Sequence, residues 1–235
     1  MEDVLVFGPC GNVGTVLVDM LLSAEDAPKS VKLSYHKTEP SPAVSSHAAV
    51  SVVQADLLNY DSVLAALTPC PPRVVFMTPT GPSSNPMVVN FVRAVKAASP
   101  PPSLVVYVSE GDIDDFLATK LRNYTNAMES YALMTELPSV RLEPAAFFTN
   151  FFKFYKVHEA VLSGVLRTGI EATTPAGWID VHDIAAAALV ALRSPVDDLA
   201  GKHFRLVGQR FSMDEFAAAV TKHVAPLVYE QLPEE

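Results

Sequence analysis

Through residue 145 the chain alternates between short runs rich in aliphatic residues and longer stretches where apolar residues recur every three or four positions. The short runs are Val4–Phe7, Val31–Tyr35, residues 50–53, residues 74–77, Leu104–Val108 and residues 140–142. Their apolar residues mostly stand side by side, the pattern of strands buried on both faces. Between them, Val16-Leu17-Val18 with Met20-Leu21-Leu22, residues 61–67, residues 87–98 and residues 112–136 carry helical periodicity, the last as one helix or two. Asp61 is placed to cap the second of these helices. Prolines punctuate the pattern at Pro40, at Pro69, Pro71 and Pro72, and at Pro100, Pro101 and Pro102. Strand–helix alternation of this kind builds βαβ units with right-handed crossovers. The expected fold is an α/β doubly wound parallel sheet with helices on both faces.

After residue 145 the rhythm weakens. Phe147, Phe148, Phe151, Phe152, Phe154 and Tyr155 form an aromatic cluster, which reads as core or, in its first members, as a pocket wall. A strand is expected at residues 177–180, an alanine-rich helix at 183–193 with Asp183 as its cap, and a strand at 204–207. A last helix runs to His223, opened by Ser212 and Glu215 at capping-box spacing. The reading is one domain, 1–235, in which residues 145–235 form a small annex that packs on the sheet and walls a substrate pocket.

The first strand runs directly into Gly8-Pro9-Cys10-Gly11-Asn12-Val13-Gly14, and the first helix follows. In such a turn Gly8 permits the sharp reversal. Gly11 lets backbone N–H groups approach a pyrophosphate, and Gly14 lets the helix pack closely. The helix N-terminus then offers unsatisfied donors and a positive dipole. Strand before and helix after are the context that makes this motif a dinucleotide site, with Gly8, Cys10, Gly11, Asn12, Val13 and Gly14 as its cofactor-binding residues. The end of the second strand reads Ser34-Tyr35-His36-Lys37-Thr38, with no acid before Glu39. An acid there would hold the ribose 2′-hydroxyl of NAD. Lys37, beside His36, suits a 2′-phosphate instead, so NADP(H) is favoured over NAD(H). Asp56, followed by Leu57, either meets an adenine amino group or closes an Asx turn. Thr78-Pro79-Thr80 follows the fourth strand at the carboxyl edge and is expected beside the cofactor.

Composition narrows the remaining classes. Hydrophobic residues are 49% of the chain against 18% charged, enough for a real core. No apolar run reaches the roughly 18–20 residues of a membrane span. The net charge of −9, with Lys and Arg scattered, argues against nucleic-acid binding. Two cysteines are too few for a disulfide framework or zinc site, and the six histidines show no metal spacing. Met1-Glu2-Asp3 runs straight into the first strand without a secretory pattern, so a cytoplasmic protein, monomeric or homodimeric, is expected. Neither a G-x-S-x-G elbow nor a phosphate-hydrolysing P-loop occurs.

Together these pieces resemble the NmrA-like family of atypical short-chain dehydrogenases/reductases, which share the Rossmann fold. The residues that carry the likeness are 4–14, 52–56, 105–109, the string Leu142-Glu-Pro-Ala-Ala-Phe-Phe-Thr-Asn150, and Ile179-Asp-Val-His-Asp183-Ile-Ala185. The ordered set spans residues 3–210. Two departures stand out: Glu143 occupies the place of the family's Arg before Pro144, and the chain stops at Glu235 where many relatives continue, so part of the usual substrate lid is expected to be absent. Reductases of the wider superfamily use a Tyr with a Lys four residues later, and a Ser at the end of the fifth strand. Here Ser109 matches the Ser. Tyr124 is the nearest helical tyrosine, but its fourth neighbour is Met128, and Lys120 lies four residues before it instead. Tyr131, with Glu129 nearby, is an alternative acid. The resemblance implies an NADPH-dependent oxidoreductase for a small apolar or aromatic carbonyl or enone, with Ser109, Tyr124 and Lys120 catalytic and Phe147, Phe148 and Asn150 at the substrate. An NADP(H)-sensing regulator, or a non-redox isomerase or cyclase that keeps the cofactor, is the alternative. No metal is expected.

Overall fold

The computed structural model describes residues 1–77, 84–109 and 129–233. Its main sheet holds β1 (Val4–Phe7), β2 (Val31–Tyr35), β3 (Val50–Gln54), β4 (Arg73–Met77), β5 (Leu104–Val108), β6 (Ser139–Pro144) and β10 (His203–Leu206). The order is β10-β6-β5-β4-β1-β2-β3 and every pair is parallel. The chain winds outward from β1 to β3, then returns to β4 and winds the other way. That reversal puts a crevice at the carboxyl ends of β1 and β4.

The aliphatic runs explain why both faces are covered. Val4 and Val6 face α1 (Asn12–Ser23) and α8 (Val181–Arg193), meeting Leu17, Val18 and Leu21 of the first and Ile184, Ala185 and Ala188 of the second. Leu5, Phe7 and Phe76 face the other way, against Val88, Phe91, Val92 and Val95 of α4 (Ser84–Ala97), while α3 (Tyr60–Ala66) adds Val63 and Ala66. Alternate side chains of one strand thus feed two apolar layers. Between β1 and β6 lie also α2 (Pro42–Ser45) and the helical residues 129–134, here α5. The rest of the helix expected over 112–136 lies outside the described residues. No described helix is long and apolar enough to cross a membrane.

Two caps differ from the sequence expectation. Asn59, not Asp61, caps α3: its Oδ1 accepts the Ser62 N–H over 3.2 Å, and Asp61 sits inside the first turn, where its charge still suits the dipole. Helix α8 starts earlier than expected, so Asp180 rather than Asp183 is its cap and accepts the His182 N–H over 2.8 Å. In both cases the capping residue has the extended backbone that a cap requires, and the predicted one is already helical. The capping box of Ser212 and Glu215 is formed as expected, opening α10 (Met213–His223).

Residues after β6 build smaller sheets. β7 (Ala146–Phe147), β9 (Ala176–Ile179) and β11 (Gln209–Phe211) form one, and β8 (Val165–Thr168) pairs with β12 (Val228–Gln231) in another. Short helices α6 (Thr149–Lys153), α7 (Val157–Ser163) and α9 (Val196–Leu199) connect them. A third apolar cluster centres on fully buried Trp178 and on Phe151, stacked with Phe211 and Phe216. Strand β10 leaves this neighbourhood and joins the main sheet beside β6.

Candidate functional site

The turn after β1 is shaped by its glycines. Gly8 has φ +86°, a left-handed conformation that a side chain disfavours. A β-carbon on Gly14 would fall 2.0 Å from the Gly8 carbonyl oxygen, so the first turn of α1 lies directly on the loop and only glycine fits. Gly11 is less constrained; its added β-carbon would sit 3.4 Å from the same oxygen. The Gly11 N–H closes the turn onto the Gly8 carbonyl over 3.2 Å. No side chain caps α1, and its first turn holds no acidic residue. Its leading N–H groups therefore remain available to an anionic ligand. Val13 is buried in the core, so its side chain serves packing rather than a ligand.

The loop after β2 is tied to this turn. Cys10 Sγ donates to the Thr38 carbonyl over 3.2 Å, and partial burial pushes its thiol above its ordinary value, so it stays a protonated donor. His36 and Lys37 are exposed at the carboxyl end of β2. His36 Nε2 stands 3.8 Å from Asp56 Oδ2. Asp56 makes the Asx turn: its Oδ1 accepts the Leu58 N–H over 2.9 Å, which leaves Oδ2 toward His36. The neighbouring Leu57 packs against the core, and its carbonyl accepts from Asn90 Nδ2. Turn, β2 loop and β3 loop thus line one edge of the sheet. Thr78, Pro79 and Thr80 lie outside the described residues.

A second polar group gathers at the ends of β5 and β6. Ser109 is buried, its Oγ donating to the Leu142 carbonyl over 3.2 Å. It accepts from the Tyr131 hydroxyl, also buried, over 3.3 Å. The Arg141 guanidinium lies 3.9 Å above the Tyr131 ring. Arg141 Nε is paired with Glu143 Oε1 at 2.5 Å, and Arg205 Nε of β10 stands 3.8 Å from Glu143 Oε2. Glu143 is 4% exposed, a burial that a carboxylate sustains only with such partners. The unusual acid at this position is therefore matched by cations on its own strand and on the neighbouring one. Strand register explains the match, since Arg205 lies opposite Glu143. Tyr124 and Lys120 lie outside the described residues.

The aromatic segment divides. Phe151 is core, whereas Phe152 and Phe154 are 63% and 71% exposed. Phe147 packs against the core beside α1 and α8, and Phe148 lies at a cleft of about 400 Å³ that Phe211, Phe216 and Arg210 also line. Asn150 gives its carbonyl to the Phe154 and Tyr155 N–H groups, holding the end of α6. From that end Lys153 reaches back to the glycine turn, where its Nζ donates to Asn12 Oδ1. Sequence reasoning passed over Lys153, because its partner is 141 residues away and no local spacing signals the contact. Among the described residues no three His, Cys, Asp or Glu side chains gather as a metal site.

Comparison with known proteins agrees with this geometry. No curated protein matches the sequence. Among solved structures, a nucleoside-diphosphate-sugar epimerase from Staphylococcus aureus superposes with TM-score 0.82 at 19% identity, over 98% of this chain and 80% of the other. An NADPH-dependent quinone oxidoreductase from Escherichia coli, complexed with NADPH, gives 0.81 at 19%, over 97% and 78%. NmrA, a negative transcriptional regulator in complex with NAD, gives 0.81 at 15%, over 99% and 75%. These likenesses uphold the Rossmann fold read from the sequence. Residues 8–137, more than half of the chain and beginning at the first glycine of the turn, match the NAD(P)H-binding family, and the chain belongs to that family.

Proposed function

We propose that the protein is an NADPH-dependent oxidoreductase acting on a small apolar or aromatic carbonyl or enone. The β1–α1 turn carries this reading: Gly14 is pressed against the Gly8 carbonyl, and no side chain caps the first N–H groups of α1. That arrangement fits a pyrophosphate, with Lys37 and His36 at the end of β2 where a 2′-phosphate lies. When bound, the nicotinamide supplies the hydride. The chain's own groups bind and orient. Ser109, at the end of β5, would turn its hydroxyl from the Leu142 carbonyl to the substrate oxygen, and Tyr124, with Lys120 four residues before it in the sequence, gives that oxygen its proton. Phe147, Phe148 and Asn150 bound the substrate side, and residues 145–235 act as its wall. The Arg141–Glu143–Arg205 set favours a fixed Tyr131, hence a fixed Ser109.

The test is titration calorimetry with NADPH, NADP, NADH and NAD on the native chain and on Lys37→Ala. NADPH is expected to bind most tightly, and Lys37→Ala to weaken it about tenfold, the size of one charge-assisted contact, with NADH unchanged. Binding of none of the four would overturn the proposal. If cofactor binds but Ser109→Ala and Tyr124→Phe leave turnover of quinones and enones unaltered, the catalytic assignment fails. A second reading, an NADP(H)-sensing regulator, draws on Met128 standing where the superfamily lysine would be and on the fold shared with NmrA. It predicts cofactor binding without turnover, together with a protein contact that differs between the oxidised and reduced cofactor.

A further inference from the structure

Lys153 ends a short helix of the residues beyond β6, yet its ammonium is placed on Asn12, the first residue of α1. That is the wrong end of a helix for a cation. The N-terminus carries the positive pole of the helix dipole, and cations stabilise the opposite end. Nothing acidic offsets the placement: the first turn of α1 has no acid, and among the described residues no carboxylate pairs with Lys153. An exposed lysine also loses rotamer freedom when held in one place. A neutral amide oxygen is a modest partner for so much positive potential. An anion seated between the uncapped N–H groups and the ammonium turns the same arrangement favourable, because both sources of positive potential then act on one negative group.

We infer that Lys153 is a ligand of the cofactor's pyrophosphate, reaching across from the far side of the crevice and exchanging Asn12 for a phosphate oxygen. The inference rests on the cofactor reading above and adds to it a residue that belongs to neither the glycine turn nor the β2 loop. It also gives α6 a second role. The helix that places Phe148 and Asn150 at one end holds the nucleotide at the other, so cofactor binding orders the substrate side.

The experiment is calorimetry of the full chain with NADPH, ADP-ribose and inorganic phosphate, on the native protein and on Lys153→Met, Lys153→Arg and Lys37→Ala. ADP-ribose has the pyrophosphate but lacks the 2′-phosphate and nicotinamide. Lys153→Met is expected to weaken NADPH and ADP-ribose alike, each by about tenfold, as expected for one lost charge-assisted hydrogen bond. Lys153→Arg should stay within about threefold of native, and Lys37→Ala should weaken NADPH alone. Unchanged affinity of Lys153→Met for both ligands overturns the inference and leaves the cofactor reading standing. Weakening of NADPH without ADP-ribose overturns the pyrophosphate assignment and moves Lys153 elsewhere on the cofactor. Binding of neither ligand by the native chain overturns both readings, and phosphate binding as tight as ADP-ribose overturns the dinucleotide as the ligand. Matching urea midpoints for native and variant chains exclude a folding defect as the cause, since Lys153 is exposed.

Discussion

The glycine turn and the aromatic cluster around Trp178 hold their shapes by opposite means. The turn is a backbone object: Gly8 needs φ +86°, and Gly14 has no space for a single methyl group. The cluster is a side-chain object, in which Phe151, Trp178, Phe211 and Phe216 stack at centroid distances of 4.2 to 6.1 Å. A backbone site offers N–H groups fixed in number and direction, which suits a phosphate ligand common to many enzymes. A side-chain cluster is tuned residue by residue, so its shape changes with each substitution. The first region resists additions and the second resists deletions.

That contrast can be broken from either side. The largest effect is expected at Phe151→Ala, which empties the centre of the cluster and destabilises the fold by about 3–5 kcal/mol in urea unfolding. Trp178→Phe should cost clearly less than Trp178→Ala, because the buried Trp178 Nε1 has no hydrogen-bond partner to lose. Next comes Gly14→Ala, an addition rather than a deletion, expected to cost about 2–3 kcal/mol and to abolish cofactor binding, whereas Gly11→Ala should cost under about 1 kcal/mol. Equal behaviour of the two alanine variants would show that the close approach at Gly14 does not govern the turn. Asp180→Ala removes the cap of α8, which lies against α1, and should cost about 1 kcal/mol by thermal unfolding.

The smallest effect is a pH dependence. The Arg193 guanidinium beside Asp26 holds its carboxyl below the ordinary carboxylate range. A depressed folded-state value contributes stability that is present above the unfolded value, near 3.9, and is lost as the pH falls through the folded one. Arg193→Gln should therefore lower stability slightly at neutral pH, with the difference from the native chain vanishing as the pH falls below about 4. An unchanged acid limb in urea midpoints would show that this exposed pair contributes nothing.

Local order was legible in the sequence, and long-range partnership was not. The runs of Val and Leu marked β1, β2 and β5 because strands covered on both faces leave no polar alternation. The turn was legible because its glycines act over seven consecutive residues. Asn59 and Asp180 were passed over because Asp61 and Asp183 offer equal capping chemistry within three residues, and backbone dihedrals, not side-chain type, decide between them. Strands of two or three residues, such as β7 and β11, carry no period to detect. Glu143 with Arg205, and Lys153 with Asn12, depend on register and packing between distant segments.

The position of β10 has a consequence for how the chain reaches this state. Because His203–Leu206 pairs with β6, the last strand of the main sheet enters only after the intervening residues have been made. During synthesis, β1 to β5 can pair as soon as they emerge, whereas β6 keeps one side unpaired, an invitation to wrong partners. This long-range closure raises the contact order of the edge and makes it the slow part of folding, while the nucleotide-binding half assembles early. Translation is then itself a sequence of events: the glycine turn is complete well before the residues after β6, and a nucleotide cofactor present at the ribosome has a folded half to meet while the other half is still being made.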